Sequence, residues 1–234
     1  MYLNKQCLLL DMNSTFMFGE DRFGDGEDFS RYYHDIGGTM EASEVNRIIR
    51  SAYHYLDQRY VDEAFRHCFP SLEAAIKAVT STCLDREEMK KIIATFAFHE
   101  CGYIPDDYIK AVLALREQFI LAAVIDIWAP KTLWLSVFRE AGIGDVFSAI
   151  SFSSDHGVVK PSARPFQLVL DQLGLSASQA LVIGDSARRD LGGAKAACID
   201  CVLVGGAVHA DALASYENLL AFCRALSLSM GHEA

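Results

Sequence analysis

The chain has 234 residues, 51% of them hydrophobic, enough for one large α/β domain or for such a domain with a smaller insert. A net charge of −10 disfavours nucleic acid and anionic lipid as partners, and any anionic ligand would need a local cation or aimed N–H groups. Seven scattered cysteines are no disulfide scaffold, and the apolar runs are too short for a signal peptide or a membrane span, so a cytoplasmic protein is expected.

In chain order, the first element is the run QCLLLD (6–11), an apolar strand ending in Asp11. The Gly- and Asp-rich GEDRFGDGEDF (19–29) is the best candidate for a hinge. Four helical patterns follow, at 39–60, 71–80, 85–98 and 106–117, with Ser71, Asp85 and Asp106 placed to cap three of them. No strand pattern interrupts them. The next apolar run, FILAAVID (119–126), ends in Asp126. A helix is expected over 129–142, with Pro130 in its first turn and a glycine at its end. Another spans 162–174. ALVIGD (180–185) ends in Asp185, and CVLV (201–204) runs into Gly205 and Gly206. SYENLLAFCRAL reads as a last amphipathic helix. Short, unalternated apolar runs separated by helices predict a doubly wound parallel sheet covered on both faces. The expected division is a core of 1–18 and 118–234 with a helical insert of 19–117.

Open α/β sheets bind ligands beyond the carboxyl ends of their strands, where Asp11, Asp126 and Asp185 fall. A lone Asp there is ordinarily a helix cap. Several converging carboxylates repel one another unless a cation lies among them, and oxygen-only donors suit Mg²⁺. In IGDSARRDLGGAKAA (183–197), Gly184 permits a tight turn, Asp185 enters the crevice, and Asp190 opens the next helix facing the same ion. In GVVKPSARPF (157–166), Lys160 supplies a positive charge that can offset an aspartate and hold an anion.

Together these segments resemble the haloacid dehalogenase (HAD) superfamily, in the branch similar to phosphoglycolate phosphatases, which carries a helical cap after the first strand. The resemblance implies a Rossmann-like core and a Mg²⁺-dependent phosphatase acting on a small phosphorylated metabolite. It implies Asp11 as the nucleophile that captures phosphorus and Lys160 as the cation steadying Asp11 and phosphate. Asp185, Asp190, Asp11 and the carbonyl of Asn13 would hold the metal. Thr15 would shape the loop, and residues 19–29 would be a flap.

Two positions depart from the family pattern. Asn13 stands where these phosphatases carry an acid–base Asp, and Asn cannot exchange that proton; the loss typically costs ~10²–10⁴ in rate. At the end of the second strand, where the family places a phosphate-binding Ser or Thr, this chain has Ile125 and Asp126. Ile125 cannot donate, and neighbouring strand residues point to opposite faces. Ser14 replaces a common Gly. Arg22 is a candidate substrate contact, with solvated surface or cap packing at least as good a reading. A binding or interaction module for a phosphorylated ligand, and the metal-free dehalogenase branch, stay as alternatives. CIDC (198–201) reads as buried structural cysteine, HEC (99–101) as ordinary helix end, and Trp128 and Trp134 as packing.

Overall fold

The computed structural model describes residues 4–81 and 83–230; residues 1–3 and 231–234 of the expected core stretches lie outside these. Strand β1 (Cys7–Leu10) is followed by five helices: α1 (Ser30–Asp35), α2 (Ala42–Tyr60), α3 (Leu72–Val79), α4 (Arg86–Glu100) and α5 (Asp106–Arg116). The chain then alternates: β2 (Ile120–Ile125), α6 (Thr132–Glu140), β3 (Phe147–Phe152), α7 (Ser153–His156), α8 (Arg164–Leu173), β4 (Ala180–Gly184), α9 (Gly192–Ala196), β5 (Asp200–Leu203), β6 (Ala214–Ser215) and α10 (Leu219–Met230). No helix among the described residues is long and apolar enough to cross a membrane.

All strand pairs are parallel, in the order β3-β2-β1-β4-β5-β6. The order reverses beside β1, so a crevice opens at the carboxyl ends of β1 and β4. The sheet is covered on both sides, and side-chain alternation assigns the residues. Leu8, Leu10, Leu121, Ala123, Ile125, Leu181 and Ile183 enter one core with the inserted helices, α6 and α10. Cys7, Leu9, Ala122, Val124, Ala180 and Val182 enter the other with α8 and α9. Helix α5 packs on β2 and α10, at the sheet side of the insert.

Several local expectations are corrected. The Ser71 and Asp85 side chains accept backbone N–H bonds at the starts of α3 and α4, but Pro105 occupies the cap of α5 and Asp106 is already helical. Helix α6 starts at Thr132, beyond Pro130. Strand β3, sequence FSAISF, was not anticipated: serines at 148 and 151 break its apolar run. Of the CIDC pair, Cys201 is buried in β5 but Cys198 is exposed in the preceding turn. The glycine-rich 19–29 segment has no regular element but is fastened: Arg50 donates to the carbonyls of Gly24, Asp25 and Glu27 at 3.0, 2.9 and 2.6 Å.

Candidate active site

Asp11 directly follows β1, and its N–H continues the ladder to Ile183 O at 2.8 Å, which aims the side chain into the crevice. The loop then wraps tightly: the N–H groups of Thr15, Phe16 and Met17 all converge on the carbonyl of Met12. That turn requires a left-handed residue at 14, the conformation Gly tolerates best. Ser14 adopts it with φ 55°, and its hydroxyl donates to Glu20 Oε1 at 3.0 Å. Thr15 is fully buried and its hydroxyl donates to Asp11 Oδ2 at 3.3 Å.

Lys160 lies at the centre. Its ammonium is 2.5 Å from Asp11 Oδ1 and 2.7 Å from Asp190 Oδ1, with only 3% of the side chain exposed. Burial alone would disfavour its charge, but Asp11, Asp190 and Asp126 outweigh that and raise its pKa well above the usual lysine range. Asp190 Oδ2 also accepts from the Ser186 N–H at 2.9 Å. Gly184 makes this fit possible, because a Cβ there would lie 2.3 Å from the Asp190 carboxyl carbon.

Asp11, Asp185 and Asp190 each present an oxygen within 4.8 Å of the others. Burial, then the Asp190 charge, push the Asp11 carboxyl up to about 7 despite Lys160; the same causes raise Asp185. One lysine is therefore short of neutralising the three acids. The donors are all oxygen, and their mutual repulsion is what a divalent hard cation relieves. These residues fit Mg²⁺.

A cavity of about 150 Å³ opens over these groups. Its inner surface includes Asp11, Asn13, Lys160 and Asp185. Asp126 does reach it: Oδ2 accepts from the Lys160 N–H at 3.0 Å and the Tyr60 hydroxyl at 2.8 Å. Burial raises its pKa. Ile125, expected at the phosphate position, is instead 1% exposed in the apolar core, on the opposite face of the strand from its successor. Arg22 is also corrected. It does not line the cavity; its guanidinium donates to the carbonyls of Gly19 and Cys101 at 2.9 Å each and to that of Phe98.

The rest of the cavity wall was not foreseen. Glu20 and Asp21 come from the segment after β1, Tyr60 from the end of α2, Glu100 from the end of α4, and Trp128 from the turn after β2. Glu100 belongs to the HEC stretch read as an ordinary helix end. The residue is 4% exposed, and its carboxyl accepts from the N–H groups of Trp128 and Ala129 at 2.5 and 2.9 Å, yet burial pushes it up to about 8. Arg189, in the π-helical turn Ala187–Leu191, sits 5.3 Å from the Tyr60 ring centre. Burial opposes its charge, but Tyr60, Asp190, Asp11 and Asp185 raise its pKa further. Among the described residues no carboxylate lies within 4.0 Å of it, so its donors are open to a ligand. Its position next to Asp190 was the sequence signal available.

A model for haloacid dehalogenase-like hydrolases matches residues 6–197. The chain belongs to the haloacid dehalogenase-like hydrolases. Among curated HAD relatives, a phosphoglycolate phosphatase from Pectobacterium atrosepticum is 52% identical over 90 residues, 38% of this chain and 38% of that protein. The match thus spans well under half of the relative. The pyrophosphatase PpaX of Halalkalibacterium halodurans is 23% identical over 76% of this chain and 84% of its own length. The HAD fold itself is shared with the 2-haloacid dehalogenase structure from Pseudomonas syringae, TM-score 0.63 at 19% identity, covering 96% of this chain and 99% of that one.

Proposed function

We propose that this HAD chain is a Mg²⁺-dependent phosphatase of small phosphomonoesters, with Asp11 as nucleophile and α1–α4 as the cap that closes the cleft. The observation that carries the reading is the buried Lys160 held between Asp11 and Asp190, beside Asp185, at the floor of a cavity. Lys160 and Thr15 fix the Asp11 carboxylate, leaving it directed at a phosphorus atom seated above it. Attack forms the Asp11 O–P bond as the ester P–O bond breaks, and the leaving oxygen takes a proton from solvent water. Water then cleaves the aspartyl-phosphate, releasing inorganic phosphate and restoring Asp11.

Arg189 and Lys160 spread positive charge over the phosphoryl oxygens. Asp11, Asp185 and Asp190, with Asn13, would hold Mg²⁺, which would neutralise phosphoryl charge and polarise the phosphorus. Asn13 cannot carry the leaving-group proton, so turnover is expected to be slow. The seven unpaired cysteines support a reducing compartment such as the cytoplasm.

The test is a screen of small phosphate esters with Mg²⁺, beginning with 2-phosphoglycolate, the ester in the relatives' name. Turnover that disappears in Asp11→Asn and on chelation is expected. Asn13 and the Ile125 position favour a second reading, a phospho-ligand-binding module; silence of both the wild type and Asn13→Asp would support it instead. The dehalogenase alternative is disfavoured because three clustered acids call for a cation.

A further inference from the structure

Beneath the phosphoryl position a divalent cation would make up the charge that Lys160 leaves unbalanced, but the wall that would face the leaving group has no such partner. Lys160 is committed to Asp11 and Asp190, and Arg189 is the remaining cation of the cavity. Against it stand Glu20, Asp21 and Asp126, with Glu100 pushed up to about 8 by burial and so mostly protonated at neutral pH. Three oxygens of this cavity, Glu20 Oε2, Asp126 Oδ1 and Asn13 Oδ1, are shut off from solvent and have no hydrogen-bond donor. Buried acceptors in proteins are nearly always satisfied by protein, water or ligand, so Glu20 Oε2 and Asp126 Oδ1, which lie apart from the metal-holding set, are places for donors that a ligand brings. Two aromatic side chains, Tyr60 and Trp128, line the same wall.

We infer that the leaving group accepted here is a short amino alcohol, its ammonium received by the carboxylate and aromatic wall of Glu20, Asp21, Tyr60 and Trp128. The inference rests on the phosphatase reading and names its substrate class. An ammonium brings three donors and a positive charge; Arg189 already lies over the Tyr60 ring, so Trp128 is the aromatic neighbour left for a second cation. A carboxylate leaving group would bring only acceptors and add like charge to the wall, a juxtaposition that interfaces avoid. The small volume restricts the chain to a few heavy atoms. Burial, then the neighbouring Glu20, push the Asp21 carboxyl up to about 6 despite Arg189, a repulsion that a bound ammonium would relieve.

Three esters of nearly equal size separate the possibilities: 2-aminoethyl phosphate, 2-hydroxyethyl phosphate and 2-phosphoglycolate. With Mg²⁺ and wild-type protein, kcat/KM should favour the amine over the alcohol by about tenfold and over the carboxylate by about a hundredfold. Glu20→Gln should shrink the amine-to-carboxylate ratio about tenfold. Asp21→Asn should do so more weakly, and Asn suits the left-handed backbone there, φ 54°. Phosphoglycolate turned over as well as the amine, or ratios unmoved in both folded variants, would overturn the inference. If none of the esters is hydrolysed, the phosphatase reading fails by itself. Calorimetric titration of each ester into Asp11→Asn with Mg²⁺ then decides the substrate class: tighter binding of the amine supports it, while equal, inverted or absent binding overturns it.

Discussion

Lys160→Met removes the one cation between Asp11 and Asp190 while keeping the length and much of the volume of the side chain. Both carboxylates lie within 2.7 Å of the lysine nitrogen and are nearly fully buried, so solvent cannot screen the exposed repulsion. Breaking a buried pair by deleting one partner typically costs about 3–5 kcal/mol. For a chain of this size that is a fall of roughly 6–20 °C in melting temperature. The loss should depend on pH in a defined direction. Asp11 is already pushed up to about 7, and the methionine variant loses the group that holds it down. A proton can then take the lysine's place in acid but not in base, so the deficit should be small at pH 5.5 and full at pH 8.5. Magnesium should shrink the deficit to the extent that the variant, without the competing lysine charge, binds the ion more tightly than the wild type; an ion at a hundred times its dissociation constant adds ~2.7 kcal/mol to the protein that holds it. The assay is thermal unfolding of both proteins at the two pH values, with EDTA and with Mg²⁺. Equal midpoints at pH 8.5 in EDTA would refute the account of Lys160 as the charge that holds the acids together.

Asn13→Asp should raise turnover of a good ester by roughly 10²-fold or more by supplying the missing proton carrier; steady-state rates on the two proteins read this, and an unchanged rate would show that proton transfer is not limiting. Arg189→Ala should raise KM for phosphate esters and weaken inhibition by inorganic phosphate, since its donors have no carboxylate partner among the described residues; unaltered inhibition would remove it from the phosphate site. Glu100 ionises near 8 folded against 4.5 unfolded, so the native state holds an extra proton between those values. Stability should therefore fall as pH rises through that window, by at most ~1.4 kcal/mol per unit. Glu100→Gln should flatten the slope, and parallel curves of urea midpoint against pH would contradict the assignment.

The architecture was readable because burial on both faces writes strands such as LLL and LVI as unbroken apolar runs, and because three of those runs stop at an acid. The floor of the site was readable for the same reason: strand ends fix where Asp11 and Asp185 go. Strand β3 escaped because two serines sit in it, one outward and one inward-facing. The outer wall escaped for a deeper reason. Glu20, Tyr60, Glu100 and Trp128 are ordinary in their local sequence and become a surface only when the inserted helices fold back over the sheet. Asp126 and Ile125 show both outcomes in adjacent positions, since the face each one meets is decided by a half-turn of the chain that a short apolar run does not reveal.

Arg22 packs against the inserted helices and binds three carbonyls, one beside Glu20 and two flanking the helix end that carries Glu100. A single side chain outside the pocket thus sets the gauge between two acids inside it. Exchange at such a rivet would respace the recognition surface while every residue touching the ligand stayed the same, giving descendants of this chain a route to new preferences that leaves the reactive floor alone.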